Sequence, residues 1–456
     1  MAEGVLTHTF LNLTERREIG KARREQASRA DHGAWQPTAN RRDPIDILEE
    51  SSQGRLEELV PIRYGRMLAN PFAFLRGSAA VMAYDLSATP CSGIYVQACG
   101  DCHLANFGLF ATPERNLVFD INDFDETLPA PWEWDLKRLA ASFAVAGRAN
   151  GFNDKANEAI VRMLVHSYRL HLAEYAEMRV LDVWYSRLDD KTLIATAPTA
   201  EARQYRKRIA AKARASVTEY LFPKITKVVD GHRHIADKPP LIYHPPEHAE
   251  VEKTLNSLFS SYHDTLPYHL RKLFDNYRYE DFAFKVVGVG SVGTRCYVVL
   301  FMAGENDPLL LQVKEANASV LEPYAGKSEF AHHGQRIVVG QRLMQSASDM
   351  FLGWMTPEKG RNFYVRQLRD MKFSIPLDAM EPAGLGRYAD ICGWVLARAH
   401  AKGGDAAMIS GYLGKSDVFD QALGKFALAY ADQTEQDHAA LVKAVKTGRL
   451  RAVTGS

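Results

Sequence analysis

The chain has 456 residues, 46% hydrophobic, 24% charged and 10% aromatic, a globular composition with room for more than one core. Its 56 basic and 55 acidic side chains leave a formal net charge of +1, so no overall field favours nucleic acid or an anionic membrane as partner. No apolar run reaches the ~18 residues of a membrane helix, the opening residues lack a secretory pattern, and the five cysteines are too scattered for a disulfide framework; the expectation is a cytoplasmic protein with reduced thiols.

Residues 1–60 read as a polar N-terminal arm, irregular through "RREQASRADHGAWQPTANRRDP". From Ile62 to Asp85 the apolar spacing is helical in pieces, broken at Pro71. "SGIYVQACGD" is a short β-branched run, so the segment that follows it sits at a strand's exit. Leu117, Val118 and Phe119 form a second brief strand before an acidic turn, and Pro129 and Pro131 break the chain ahead of the helical "WEWDLKRLAASFAVAGRAN". Amphipathic helices continue over 153–230, and the proline-rich "DKPPLIYHPPEH" is the clearest linker. Residues 281–317 then read as strand, glycine turn, strand, turn, strand. A helix follows near 328–346, two more strands lie in "DMFLGWM" and "NFYVRQL", and from Met380 the pattern is helical again. The implied parts are an arm (1–60), a helical lobe (61–236), a linker with a helical insertion (237–280), a β-rich lobe (281–372) and a second helical part (373–456).

Three constellations carry chemistry. The first is "CGDCHLANFG" at 99–108, which satisfies two incompatible patterns. Cys99, Cys102 and His103 spell the C-x-x-C-H of covalent haem attachment, and the cysteine pair also suits a redox couple or half a zinc site. No second C-x-x-C or H-x-x-x-H completes a zinc tetrahedron, and no export signal accompanies the haem pattern. In the other pattern Asp101 and Asn106 stand five apart, as the base and the metal-holding amide of a phosphotransferase loop do. The sequel "FDINDFDET" adds Asp120, Asp123 and Asp125, hard oxygen donors suited to magnesium, and alternates them with Phe119, Ile121 and Phe124 as backbone anchors. The competing reading is a solvated acidic turn.

The second constellation is "GVGSVG", with Gly288, Gly290, Ser291 and Gly293 placed to bring backbone amides up to phosphates. A strand follows it where a dinucleotide fold would need a helix, so strand, glycine loop, strand is the arrangement expected. The third is "LLLQVKEA", which puts Lys314 at a strand's end, as a phosphate-contacting lysine or as an edge lysine reaching water. Its carboxylate partner is expected on the next helix, with Glu329 first and Glu322 second.

The stretch "GDCHLANFG…LVFDINDFDETLPAPWEWDLKRLA" resembles the G-D-x-H-x-x-N, I-D-x-x-D and W-D-L-A segments of aminoglycoside and choline phosphotransferases. Residues 60–420 are also similar to a bacterial family of uncharacterised proteins that shares this block and "YVRQLRDMK". The resemblance implies an α+β, two-lobe protein-kinase-like fold using ATP and magnesium, with Asp101 as catalytic base and His103 ordering its loop. It further implies Asn106, Asp123 and Asp125 at the metal and Asp135 as a brace. Two departures stand out: Cys99 replaces a histidine common in such enzymes, and the glycine loop follows the catalytic loop instead of preceding it. A circular permutation accounts for the order, with "RDMK" (369–372) as hinge and the helix containing His400 beneath the loop of Asp101. A rival topology has residues 62–85 roof the nucleotide. Transfer to a hydroxyl of a small-molecule acceptor is the expected activity; AMP transfer and a nucleotide-binding regulator without transfer are the alternatives.

Overall fold

The computed structural model describes residues 11–246, 248–356, 360–368, 371–378 and 380–454. Architecture is α+β: a helical body, one six-stranded antiparallel sheet, and small sheets where the two meet. Among the described residues no helix is long and apolar enough to cross a membrane.

Helices Trp132–Ala149, Asp154–Glu177, Pro382–Gly403 and Val418–Lys446 build the body. Every residue from Trp132 to Gly147 is buried, so this helix is apolar or internally paired all round, and Trp132 stacks on Tyr168 at 5.7 Å between ring centres. Gly393 lets the helix Pro382–Gly403 approach Asp154–Glu177, since a β-carbon there would lie 2.3 Å from the Leu164 carbonyl oxygen.

The six-stranded sheet runs in the order Gly353–Met355, Asn362–Gln367, Asp307–Ala316, Cys296–Gly304, Arg278–Lys285 and Ile242–Tyr243. The helix His333–Met344 follows Asp307–Ala316 in the chain and packs beside Asn362–Gln367. Strand alternation sorts the side chains. Leu311, Val313, Phe363 and Val365 pack outward on Leu258, Tyr262 and Phe274 of the helices His248–Thr265 and Tyr268–Phe274. Gln312, Lys314, Tyr364 and Arg366 take the other face, with Lys314 opposite Tyr364 and Gln312 opposite Arg366.

Strands Phe107–Ala111 and Leu117–Ile121 pair with each other, and Phe373–Ser374 adds to the first. Met371 and Lys372 thus lead from the six-stranded to the three-stranded sheet; Arg369 and Asp370 of the expected hinge lie outside the described residues. One expectation needs correction. Pro129 and Pro131 do not break the chain: Leu128–Pro131 is a strand paired with Tyr95–Ala98, in a two-stranded sheet whose outer edge tolerates proline. The N-terminal arm is irregular only over the stretch read so, residues 23–43, where short 3-10 turns are all that forms. Leu13–Ala22 is a helix with an Asn12/Glu15 capping box, docked on Ala406–Leu413. Gly20 and Gly411 permit the contact, because β-carbons would sit 1.9 and 2.1 Å from the facing carbonyl oxygens. Arg41 pins the following segment between Asp85 and Asp437. The far end of the chain returns here too, the Val453 amide donating to the Pro61 carbonyl.

Candidate active site

Where the sheet meets the helical body lies a cleft of about 400 Å³, lined by Asp101, His103, Asn106, Asp123, Asp125, Gly288, Gly290, Ser291 and Lys314. Residues spread over more than two hundred positions of sequence therefore share one cavity. Each arrives for a local reason.

The 99–106 loop leaves strand Tyr95–Ala98 and is held from below by Asp135, on the first turn of the helix Trp132–Ala149. Its carboxylate accepts from the Cys99 amide at 2.7 Å and the Gly100 amide at 2.9 Å, charge-assisted bonds in a dry interior. His400 lies 3.2 Å from the same carboxylate, and its other ring nitrogen meets the Tyr168 hydroxyl at 2.8 Å. The helix Pro382–Gly403 thus backs the loop as expected. Gly100 adopts φ +86° there, and a β-carbon would fall 2.2 Å from the Glu126 carbonyl oxygen, so the position requires glycine.

Asp101 accepts from Arg138 at 2.5 Å through Oδ1, and Arg138 also donates to the Leu75 carbonyl. Its Oδ2 makes no hydrogen bond among the described residues; His103 Nε2 is 3.9 Å away. Burial pulls His103 down to about 3, so the ring is neutral near pH 7 and cannot act as a cationic acid. Asn106 donates its amide to the Asp101 carbonyl at 2.8 Å, which fixes the side chain and leaves its oxygen as a lone-pair donor.

The acidic turn divides its three aspartates. Asp120 is fully buried and structural, pairing with Arg398 at 2.7 Å and accepting from the Ser346 amide. Asp123 lines the cleft and makes no ion pair among the described residues. Asp125, expected at the metal, is instead the ion-pair partner of Lys314 and also accepts from Tyr364 at 2.7 Å and Ser291 at 3.1 Å. Burial raises the Asp125 carboxyl, but the Lys314 ammonium outweighs it and holds the group at about 2. Burial likewise works against the Lys314 charge, and Asp125 reverses that, so Lys314 stays above its ordinary value.

Glu329 and Glu322, expected to pair with Lys314, do not. Glu329 is exposed and outside the helix His333–Met344, and Glu322 lies 4.0 Å from His333. On that helix a guanidinium takes the inner position: Arg336 is buried and donates to the carbonyls of Thr127, Asp125 and Asn317. The helix therefore grips the acidic turn's backbone and leaves the lysine to Asp125. Gly293 is also displaced from its expected role. It takes φ +89° in the turn after the loop, 3.0 Å from Arg55 at the β-carbon position, while Gly288, Gly290 and Ser291 face the cavity.

Cys99, Cys102 and Asp135 lie close enough for their donor atoms to share an ion, within 4.8 Å of one another. Their present commitments favour a brace. Cys102 is buried and its thiol is pushed up to about 11, Cys99 is raised by its contact with Cys102 and by burial, and Asp135 already serves two amides and His400.

Sequence reasoning missed Tyr364, Arg138, Arg336 and Glu126. Tyr364 and Arg366 alternate as polar positions inside an apolar strand, and Arg138 is one of four charged residues in the first two turns of a helix whose remaining positions are mostly apolar; both were visible signals. Glu126 carried none: burial among cleft residues raises its carboxyl to about 7, opposed by the Val320 amide at 2.7 Å.

No curated protein and no solved structure matches the chain. A family model described as an uncharacterized protein conserved in bacteria, DUF2252, matches residues 55–444, a span holding all the site residues named above, and the chain belongs to that family.

Proposed function

We propose that the chain is an ATP- and magnesium-dependent phosphotransferase acting on a hydroxyl, built as a circularly permuted kinase-like fold. The observation that carries this reading is the ion pair between Lys314 and Asp125, 189 residues apart, inside the cleft that also holds Asp101, Asn106 and Asp123. Topology supports it. Leaving aside the two-residue strand Ile242–Tyr243, the strands from Arg278–Lys285 onward are ordered first, second, third, fifth, fourth, with the glycine loop between first and second, Lys314 on the third and the helix His333–Met344 between third and fourth, the succession of a kinase small lobe. The loop of Asp101 precedes that lobe in sequence, hence the permutation.

The donor set fits the magnesium ion the reading requires: the free amide oxygen of Asn106 and the carboxylate of Asp123, both hard and both facing the cavity. When bound, the ion would neutralise phosphate charge. Lys314, released from Asp125, would hold the nucleotide's phosphate oxygens, and the amides from Gly288 to Ser291 would cover them. Asp101, oriented by Arg138, would accept the hydroxyl proton through its unbonded Oδ2. Asn106 and Asp135 fix the loop, so the work is positioning and charge neutralisation.

The test is product analysis with Mg-ATP and a bacterial metabolite extract. ADP and a phosphorylated compound should form with wild type and fail with Asp101→Ala. Pyrophosphate with an adenylylated compound would replace the reading by AMP transfer, and nucleotide binding without turnover would replace it by a regulatory role.

A further inference from the structure

Three arginines at the cleft wall have no carboxylate in ion-pair contact among the described residues. Arg55, Arg63 and Arg76 all line the cavity, and among the described residues none makes an ion pair. Arg63 is only 2% exposed and spends its terminal nitrogens on the Ser52 and Ser51 hydroxyls and the Gly77 carbonyl, while its Nε is buried with no partner. Arg55 donates to the Ser51 and Val292 carbonyls. Arg76 makes no hydrogen bond at all among the described residues, and its Nε is likewise buried and unpartnered. Burying guanidinium charge without an anion is costly, and burial together with the neighbouring Arg55 draws Arg63 down to about 9.

The acids of the cleft do not compensate, because they are committed elsewhere. Asp101 pairs with Arg138, Asp125 with Lys314, Glu315 with Arg295 and Glu50 with Arg42, and Glu126 is half neutral near pH 7. Only Asp123 is left, and it belongs to the metal position. Carboxylates act on the wall only from a distance, Asp101, Asp123 and Asp378 on Arg76 and Glu126, Asp125 and Glu315 on Arg55, so among the described residues the three guanidinium groups stand next to Asp101 with no anion in ion-pair contact.

We infer that Arg55, Arg63 and Arg76 form an oxyanion subsite, and that the acceptor is a hydroxyl compound bearing a phosphate or carboxylate held there beside Asp101. The substrate part of this inference rests on the phosphotransferase reading; the oxyanion site does not. The cluster comes from residues 55–76, on the helical side of the cleft; Arg55 touches the glycine loop through the Val292 carbonyl and Gly293, whereas Arg76 approaches it only with its backbone carbonyl, near Gly290, so Arg76 is the residue that separates the two sites.

The experiment is thermal denaturation with inorganic phosphate, without nucleotide, against chloride at equal ionic strength, in wild type, Arg76→Gln and Arg55→Gln/Arg76→Gln. Phosphate should raise the wild-type midpoint beyond chloride, Arg76→Gln should lose most of that shift, and the double variant all of it. Arg76→Lys should retain part. Because Arg76 makes no hydrogen bond or ion pair among the described residues and only lies over the Phe72 ring at 6.0 Å, Arg76→Gln should denature close to the wild-type midpoint without ligand. Mg-ATP titrated into the same variants separates two sources of the anion. Undiminished ATP binding in Arg76→Gln, with phosphate and Mg-ATP shifts additive in wild type, supports an acceptor subsite. Equal loss of ATP and phosphate binding assigns the arginines to the nucleotide and overturns the inference. So does a wild type that phosphate stabilises no more than chloride. Absence of ATP binding in a wild type that keeps its phosphate shift overturns the phosphotransferase reading alone and supports the oxyanion site.

Discussion

Replacing Lys314 by methionine removes the cation from a buried pair and leaves Asp125 in the cleft with two hydroxyl donors, Tyr364 and Ser291. Two routes give the size of the effect. By proton linkage, a carboxyl held at about 2 against an ordinary 3.8 contributes about 2 kcal/mol of stability. Its pKa is depressed on folding, so this contribution is present above pH 3.8 and is lost as pH falls through 2. Breaking a buried pair from one side costs more, about 3–5 kcal/mol, because the remaining charge is stranded. Asp125 keeps its hydroxyl donors and a side chain 23% exposed, which places Lys314→Met at the low end, about 3 kcal/mol. A double-mutant cycle with Asp125→Asn, read by urea denaturation at pH 7, should give a coupling of about 2 kcal/mol, with the double variant more stable than the sum of the singles. Additivity within about 0.5 kcal/mol would refute the pairing, and with it the geometry on which the functional reading stands.

Asp135→Asn should cost about 3 kcal/mol, since one buried backbone amide of Cys99 or Gly100 loses its acceptor, and it should abolish turnover while leaving far-ultraviolet dichroism unchanged. His103 is held at about 3 against an ordinary 6.5, so the unfolded chain takes up a proton first as pH falls, and stability drops from pH 6.5 downward. His103→Asn should shrink the loss between pH 7 and 5 by about 2 kcal/mol; an unchanged pH profile would contradict the buried neutral ring. Glu126 runs the other way: raised to about 7 from 4.5, it costs stability as pH climbs through that window. Glu126→Gln should therefore stabilise at pH 8, by at most about 3 kcal/mol, and do little at pH 4.5, as midpoints across the pH range would show.

Short-range pattern made much of the fold legible. Short apolar runs bounded by turns marked the strands around Lys314 and Tyr364, and the spacing from Asp101 to Asn106 and on to Asp123 marked the loop and turn. Partners distant in sequence were not legible, because nothing local to Lys314 says whether its anion lies on the next helix or 189 residues away. The helix His333–Met344 instead carries Arg336 toward backbone carbonyls, a role no spacing rule singles out. The helix Leu13–Ala22 was hidden for a different reason: its buried face is little more than Gly20, so its charge concealed a contact made by backbone approach.

The central claim is that Asp123 and Asn106, facing Lys314 in one cleft, bind a magnesium–nucleotide complex. Calorimetric titration of ATP into wild type and Asp123→Ala, each with and without magnesium, tests it most directly. One nucleotide should bind per wild-type chain, roughly tenfold tighter with magnesium, and that magnesium dependence should vanish in Asp123→Ala. An Asp123→Ala protein that binds ATP with the wild-type magnesium dependence, or a wild type that binds no ATP at millimolar concentration, would contradict the account.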